Sequence, residues 1–231
     1  AGTVMRNLLF AHIKAFHHLK SLENGEIAQI GLVKNITQFD ALRRWHILDW
    51  YFSKILNDIF TNSTIDLFLN GKFNFYLPGM VNITDSNTNA IGSADFIGLN
   101  YYSRWHVKGH LNPTAPFTFE KRKQDVQTDM PYSIYPEGFY KALNDINKLN
   151  IPIIVTENGI ADDKDDRRET FINRYLYALN KSINEGLDIQ GYFYWSLMDN
   201  FEWAEGYSMK FGLYEVDFNT QKRRLRNGRL A

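Results

Sequence analysis

The segment Ile151-Pro-Ile-Ile-Val-Thr-Glu-Asn-Gly159 constrains the fold of this chain more than any other part of the sequence. Its apolar run is typical of a strand buried on both faces, as in a parallel sheet covered by helices. In barrels built from such units the active site lies at the C-terminal ends of the strands, where Glu157 would stand. Glu157 is therefore a candidate nucleophile or base. The alternative is an ordinary turn or helix-cap acid, and the segment alone favours neither.

Strands and helices alternate along the rest of the chain. The predicted strands are 27–33, 95–102, 151–157 and 189–196. The predicted helices are 5–19, 40–60, 136–149 and 165–185, the last closed by Gly186. Residues 61–94 are predicted to be mainly loop with a short helical piece, and residues 103–135 to form a long excursion.

This alternation predicts an α/β fold with a parallel sheet and outer helices. Its strand and helix units amount to half of an eight-stranded barrel. No internal repeat, low-complexity tract or linker divides the chain, so residues 1–231 are expected to form one domain.

Composition argues against several classes of function. The 26 Lys and Arg residues balance 26 Asp and Glu residues, which leaves no electrostatic footprint for nucleic acid or an anionic membrane. No apolar stretch approaches the roughly 18 residues of a membrane span. The chain has no cysteine, and its six histidines are not spaced like metal ligands, so no metal site is expected. The lack of cysteine does not indicate a redox compartment, so localisation stays open. The basic residues Lys222 to Arg226 and Arg229 are interpreted as a solvated tail.

A second constellation follows the last predicted strand, in the run Trp195-Ser-Leu-Met-Asp-Asn-Phe-Glu-Trp203. A sugar presents apolar C–H faces and directional hydroxyl groups, so its site needs aromatic platforms beside hydrogen-bonding side chains. Trp195 and Trp203 bracket Glu202 and supply both. Tryptophans also fill cores, which is the alternative, but a ligand role is the preferred interpretation of this run.

The second predicted strand ends in Asn100-Tyr-Tyr102. Because the C-terminal ends of parallel strands meet at one edge of a sheet, these side chains are expected to converge with Glu157 on one pocket. A tyrosine hydroxyl beside a carboxylate can donate a hydrogen bond that keeps the carboxylate ionised and oriented for attack. Simple packing of the tyrosines is the equally weighted alternative.

With these residues assembled, the chain resembles the family 1 glycoside hydrolases, the group of retaining β-glucosidases and β-galactosidases. The resemblance spans nearly the whole chain and depends on several long motifs in the family's order. These motifs are Asp95-Phe-Ile-Gly-Leu-Asn-Tyr-Tyr102, Ile134-Tyr-Pro-Glu-Gly138, Val155-Thr-Glu-Asn-Gly159, Gly191-Tyr-Phe-Tyr-Trp-Ser-Leu-Met-Asp-Asn-Phe-Glu-Trp203, Gly206-Tyr207 and Phe211-Gly-Leu213. The resemblance implies a (β/α)8 TIM barrel that acts on a β-glycoside or oligosaccharide and needs no cofactor.

The resemblance also implies roles for the matched residues. Glu157 would be the nucleophile, Tyr102 would contact its carboxylate, and Asn100 would lie at the edge of the pocket. The remaining matches would hold the sugar: Trp195 by stacking under the ring, Glu202 and Trp203 by hydrogen bonds to hydroxyl groups, and Phe211 as the pocket wall. Tyr132 stands where the family usually has a tryptophan on the aglycone side, which puts acceptor preference in doubt.

One departure outweighs the matches. The family's acid/base carboxylate lies in a Thr-X-Asn-Glu-Pro motif after the fourth strand, and this sequence has no Asn-Glu-Pro. The helix predicted at residues 5–19 resembles the one that follows that motif. The chain is therefore expected to represent about strands five to eight, a half barrel.

Three hypotheses follow. The leading one is the C-terminal half of a retaining β-glycosidase, competent with a complementary N-terminal half barrel. The second is a non-catalytic half barrel that binds sugar or serves in assembly. The third is self-association that rebuilds a closed barrel with a different acid, Glu205 or Glu137. Open sheet edges in a half barrel favour pairing in the first and third cases.

Overall fold

Four parallel strands form the central sheet of the computed structural model, which describes residues 1–226. The helices are α1 Gly2–Lys20, α2 Ile47–Asn57, α3 Ser63–Asn70, α4 Pro136–Asn147 and α5 Arg168–Asn184. The strands are β1 Gly31–Ala41, β2 Lys72–Leu77, β3 Val81–Ser86, β4 Phe96–Gly109, β5 Phe117–Glu120, β6 Ile153–Asn158, β7 Ile189–Tyr194, β8 Tyr214–Val216 and β9 Arg223–Leu225. The sheet order is β1-β4-β6-β7, with β5 antiparallel to β4. The α/β arrangement predicted from the sequence is confirmed.

One face of the sheet packs on α4 and α5, and we call it the helix face. In β4, the buried side chains of Ile97, Leu99 and Tyr101 share a core with Phe139 and Leu143 of α4. Full burial of one such apolar side chain stabilises the fold by about 1.5–3 kcal/mol. This core therefore fixes which residues of each strand point toward the helices and which point to the opposite face.

A second core lies under α1, α2 and α3, and it contains a hairpin of β2 and β3. The prediction that residues 61–94 are mainly loop was therefore wrong for this hairpin, whereas the short helical piece that it included is present as α3. Phe73, Phe75 and Leu77 are buried while the residues between them are exposed, which is the period-two pattern of a half-buried strand. The Asn and Gly residues of this stretch obscured that pattern.

β1 and β4 reach further than the sequence predicted. They pair in parallel as far as Ala41 of β1 and Val107 of β4. The prediction ended β1 at residue 33 and β4 at residue 102, so β1 ends eight residues later and the pairing of β4 continues for five more residues. The predicted helix over residues 40–60 is therefore shorter at its start, because α2 begins at Ile47. The extension is stabilised by burial of Val107 in the second core, a tertiary contact that no local pattern shows.

The two helices on the helix face lie close to their predicted positions. α4 was predicted at 136–149 and α5 at 165–185, and both are confirmed with ends that differ by up to three residues. Gly186 follows α5 with a φ of 94°, a left-handed conformation that glycine adopts with little steric cost.

The opposite face and both edges of the sheet are open. Within residues 1–226, β1 and β7 each have a single hydrogen-bonded neighbour in the sheet. On the opposite face Val33 is 51% exposed and Phe193 is 62% exposed. Open strand edges beside exposed apolar side chains are typical of surfaces that pair with another element.

A buried histidine lies in the extended part of β4. The side chain of His106 is 1% exposed, and its Nδ1 lies 3.5 Å from Oδ2 of Asp125. Burial, followed by the positive fields of Arg104 and Arg122, lowers the pKa of His106 to about 4, although Asp125 and Asp40 act in the opposite direction. Arg104 forms ion pairs with both carboxylates. The imidazole is therefore neutral at pH 7.

Acid is expected to destabilise the fold through His106. An unfolded histidine has a pKa near 6.5, so between that pH and about 4 the unfolded chain binds a proton that the folded chain does not. The free energy of unfolding should fall by roughly 3 kcal/mol across this window. Urea unfolding at neutral and acidic pH should show a smaller loss in His106→Gln than in the wild type. His18→Gln, which removes an exposed histidine, is the control, and equal pH dependence in all three would contradict the assignment.

Candidate active site

A register shift in β6 sets the direction of Glu157. Leu99 of β4 pairs with Val155, but the next residue, Asn100, pairs with Glu157, so β6 carries one extra residue at this point. A second shift occurs against β7. Val155 faces the helices, and strict alternation would turn Glu157 the same way. The bulge instead places Glu157 beside Asn100 on the opposite face.

Tyr102 holds the Glu157 carboxylate. Its hydroxyl group donates a hydrogen bond to Oε2 of Glu157 at 2.7 Å. Burial first, and then this hydrogen bond, raises the pKa of Tyr102 far above its ordinary value. The phenol therefore keeps its proton and acts as a hydrogen-bond donor, which orients the carboxylate of Glu157. The sequence-based expectation that these two side chains converge is met.

Aromatic rings flank Tyr102. Phe211 is 3% exposed and meets Tyr102 edge to face, with ring centroids 6.1 Å apart. The ring of Tyr132 lies 6.3 Å from that of Tyr102. Burial, and then the negative fields of Glu202 and Glu205, raise the pKa of Tyr132. The excursion after β4 and the loop after β7 therefore meet at the same strand end.

Trp195 and Glu202 form a second hydrogen-bonded pair. The indole Nε1–H of Trp195 donates to Oε1 of Glu202 at 2.9 Å, and Glu202 is 7% exposed. Its other carboxylate oxygen, Oε2, accepts no hydrogen bond from the residues the structure describes. A carboxylate with one oxygen oriented by indole and one oxygen free is suited to accept hydrogen bonds from ligand hydroxyl groups.

The remaining predicted site residues differ in their setting. Asn100 lies beside Glu157 in the register, and its Oδ1 accepts a hydrogen bond from the Thr156 hydroxyl at 2.6 Å. Trp203 is 85% exposed in the turn that follows Glu202, and within residues 1–226 its side chain makes no hydrogen bond. Its role in sugar binding stays a prediction.

Arg168 connects the loops that follow β6 and β7. It is 2% exposed, and its guanidinium group pairs with Asp165 at 2.7 Å. The same guanidinium donates to the hydroxyl of Tyr194 and to the backbone carbonyls of Ile160, Asp162, Lys210 and Phe211. The loop after the Glu157 strand is thereby tied to the backbone of Phe211, the ring that packs on Tyr102.

A second buried ion pair anchors the loop after β7 from its other side. Asp199 is 3% exposed, accepts a hydrogen bond from the Gly212 N–H at 2.9 Å and pairs with Arg226 at 2.7 Å. Arg226 is itself buried. The interpretation of the basic residues near the C-terminus as a solvated tail is therefore wrong for Arg226, while Arg229 lies outside the described residues.

Residues 1–226 contain no group of three or more His, Asp or Glu side chains arranged to hold a metal ion. In the same part of the chain, no helix combines the length and the apolar character needed to cross a lipid bilayer.

Comparison with known proteins assigns the family. The model of glycosyl hydrolase family 1 matches residues 2–229. The chain belongs to glycosyl hydrolase family 1. A β-galactosidase from Saccharolobus solfataricus is 30% identical over 94% of this family 1 chain and 44% of its own length. A β-glucosidase A from Thermotoga maritima is 40% identical over 62% of this chain and 34% of its own length.

Solved structures agree. A β-glycosidase from Pyrococcus horikoshii superposes with a TM-score of 0.83 and 35% identity, over 96% of this chain and 50% of that one. A family 1 β-glucosidase from Thermotoga maritima superposes with a TM-score of 0.82 and 30% identity, over 96% and 52%. The predicted (β/α)8 barrel class is confirmed, and this family 1 chain spans about half the length of these relatives.

Sequence reasoning missed two anchors of this site. Arg168 stands in a run of charged residues, Asp165-Asp-Arg-Arg-Glu169, that is typical of an exposed helix start, so nothing local marks it as buried. Asp199 lies inside the motif from Trp195 to Trp203. Its position between two tryptophans was the one feature of the sequence that could have indicated its burial. Both act through loops that are distant in sequence.

Removal of the Arg168 guanidinium should destabilise the family 1 chain strongly. In Arg168→Leu, the Asp165 carboxylate and several carbonyl groups lose their buried donor, and breaking such a pair costs about 3–5 kcal/mol. Arg224→Leu is the matched control, because Arg224 pairs with Glu215 at an exposed position, where a pair contributes about 0–1 kcal/mol. Urea unfolding of the two variants would contradict this assignment if their losses were similar.

Proposed function

We propose that this chain supplies the donor-sugar half of a retaining β-glycosidase site, with Glu157 as the nucleophile. The observation that carries this proposal is the hydrogen bond from Tyr102 to Glu157 at the end of a parallel strand. The pair of Trp195 and Glu202 supports it, since it offers an aromatic face and a free carboxylate oxygen. Relatives named β-glucosidase and β-galactosidase support a β-glycoside as substrate.

In the proposed reaction, Glu157 attacks the anomeric carbon and forms a covalent glycosyl ester while the bond to the leaving oxygen breaks. A second carboxyl group gives that oxygen a proton. The same group, now a carboxylate, then takes a proton from water, and the water oxygen displaces Glu157. Two inversions leave the β-configuration intact. Tyr102 would hold the carboxylate of Glu157 in the orientation that attack on the anomeric carbon requires.

We propose that the second carboxyl group comes from a complementary half barrel, on the same polypeptide or on another chain. The absence of an Asn-Glu-Pro motif from these 231 residues motivates this step. The open edges of β1 and β7 support it, because parallel strands of a second half would complete the hydrogen-bonding ladder at both edges. Exposed Val33 and Phe193 would be covered in the same contact.

Two alternatives are carried with this proposal. A half barrel without an acid would bind sugar saturably and never turn it over. In a self-associated barrel, Glu205 is favoured over Glu137 as the replacement acid. The negative charge of Glu205 contributes to raising the pKa of Tyr132, and the ring of Tyr132 lies beside that of Tyr102. Glu137 instead lines a groove between α4 and α5 on the helix face.

An activated glycoside should label Glu157. Dinitrophenyl 2-deoxy-2-fluoro-β-glucoside needs little acid assistance, so it tests the nucleophile without the second carboxyl group. Intact mass followed by peptide mapping should find one glycosyl adduct, on Glu157. In Tyr102→Phe, loss of a hydrogen bond to a charged group should slow labelling about 10- to 100-fold.

Two controls keep this test specific. Glu157→Gln should take no label, and Tyr76→Phe, which alters a half-exposed tyrosine of β2, should label at the wild-type rate. A label on another carboxylate would remove Glu157 from the proposed role. Saturable sugar binding by a folded chain that never labels would favour the non-catalytic alternative.

Azide should reveal the missing acid/base group. A dinitrophenyl β-glucoside needs little proton donation to form the glycosyl ester, whereas water needs a general base to release it. Azide needs no base, so it should accelerate turnover and give a β-glycosyl azide. Adding a half barrel that carries Asn-Glu-Pro should restore hydrolysis of unactivated glucosides. Unassisted hydrolysis of such substrates by this chain alone would show that it already holds an acid.

A further inference from the structure

Asn158 follows Glu157, and its side-chain amide and its backbone carbonyl have hydrogen-bond partners on neighbouring segments. The residue is 0% exposed. Its Nδ2 donates to the backbone carbonyl of Tyr101 at 2.6 Å, and its Oδ1 accepts from the hydroxyl of Tyr192 at 2.9 Å. Its own backbone carbonyl accepts from the N–H of Trp195 at 2.9 Å. One residue thus joins β6 to β4 and to the end of β7.

The chemistry of the partners fixes the direction of this amide. The carbonyl of Tyr101 can only accept a hydrogen bond, so the NH2 group of Asn158 must face β4 and its oxygen must face β7. An aspartate of the same shape offers no proton to that carbonyl. A leucine would leave both the Tyr101 carbonyl and the Tyr192 hydroxyl unpaired in a buried position, which costs about 1–3 kcal/mol each.

The bridge lies where the backbone ladder is irregular. The register of β6 shifts against β4 beside Glu157 and against β7 between Val155 and Asn158. Side-chain hydrogen bonds of Asn158 therefore connect the strands where regular pairing is interrupted. The bulge that turns Glu157 away from the helices is held from both sides by this amide.

The hydrogen-bond partners of Asn158 either precede a site residue in the sequence or are themselves site residues. Tyr101 precedes Tyr102, and Trp195 is the residue whose indole donates to Glu202. Asn158 therefore contacts two segments that each lead into a site residue, at the point where the bulge turns Glu157. We propose that Asn158 is a positioning residue that sets the relative placement of Glu157, Tyr102 and Trp195, an inference that rests on the proposed role of Glu157 as nucleophile.

The test uses variants matched in shape. Asn158→Asp replaces the donor facing Tyr101 with an oxygen, and Tyr192→Phe removes only the hydroxyl that faces Asn158. Asn57→Asp is the control, because Asn57 makes a comparable amide bridge from α2 to the backbone of Phe39, in the second core. Each variant is labelled with the fluoro-glucoside described above, and the rate is expressed per folded molecule from circular dichroism.

We expect Asn158→Asp to label Glu157 about 100-fold more slowly, since a displacement of the order of 1 Å at a reacting group has an effect of this size. Tyr192→Phe should lie between it and the wild type, and it carries the test if Asn158→Asp does not fold. Asn57→Asp should label at the wild-type rate even where it lowers the unfolding midpoint. Wild-type rates in both Asn158→Asp and Tyr192→Phe would overturn the positioning role.

A second readout separates this inference from the proposed function. In a 15N-labelled chain, the indole N–H signal of Trp195 reports its placement without any chemistry. That signal should move in Asn158→Asp and stay in place in Asn57→Asp. If the wild type takes no label, the proposed function has failed for this chain alone, and an unmoved Trp195 signal in Asn158→Asp would then overturn the positioning role as well.

Discussion

The extra residue in β6 is the constraint on which the rest of the site depends. The helix face is filled by the apolar core of α4 and α5, so a carboxylate pointing there would be buried without a partner. The bulge turns Glu157 to the opposite face, where Tyr102 donates a hydrogen bond to it. A one-residue change of register thus moves this carboxylate from the apolar core to a position where it has a hydrogen-bond donor.

Buried polar side chains hold the loops around this strand end. Arg168 bonds to carbonyl groups of both loops, and Asp199 joins its loop to Arg226. One guanidinium group satisfies several carbonyls that would otherwise lack partners. Directional bonds of this kind specify geometry, which a site needs more than it needs stability.

The sequence predicted the parts of the fold that local patterns specify. α4, α5 and the strand ending in Glu157 follow from apolar periodicity and from Gly186, and the meeting of Tyr102 with Glu157 follows from the parallel sheet. The hairpin of β2 and β3 was missed although its alternation is present in the sequence. The burial of Arg168 could not be predicted, because its partners come from residues 160 to 211 and assemble only in the tertiary structure.

Orientation and proton delivery are separate physical requirements in the proposed site. Tyr102 donates a hydrogen bond to Glu157, and Trp195 donates one to Glu202. Both carboxylates are therefore oriented by side chains of this chain. A proton donor must instead stand on the far side of the glycosidic bond, roughly 5 Å from the nucleophile. The face where it would stand carries exposed Val33 and Phe193. In the proposed site, the proton donor and the cover for these apolar side chains would be needed on the same face, and one complementary half barrel would supply both.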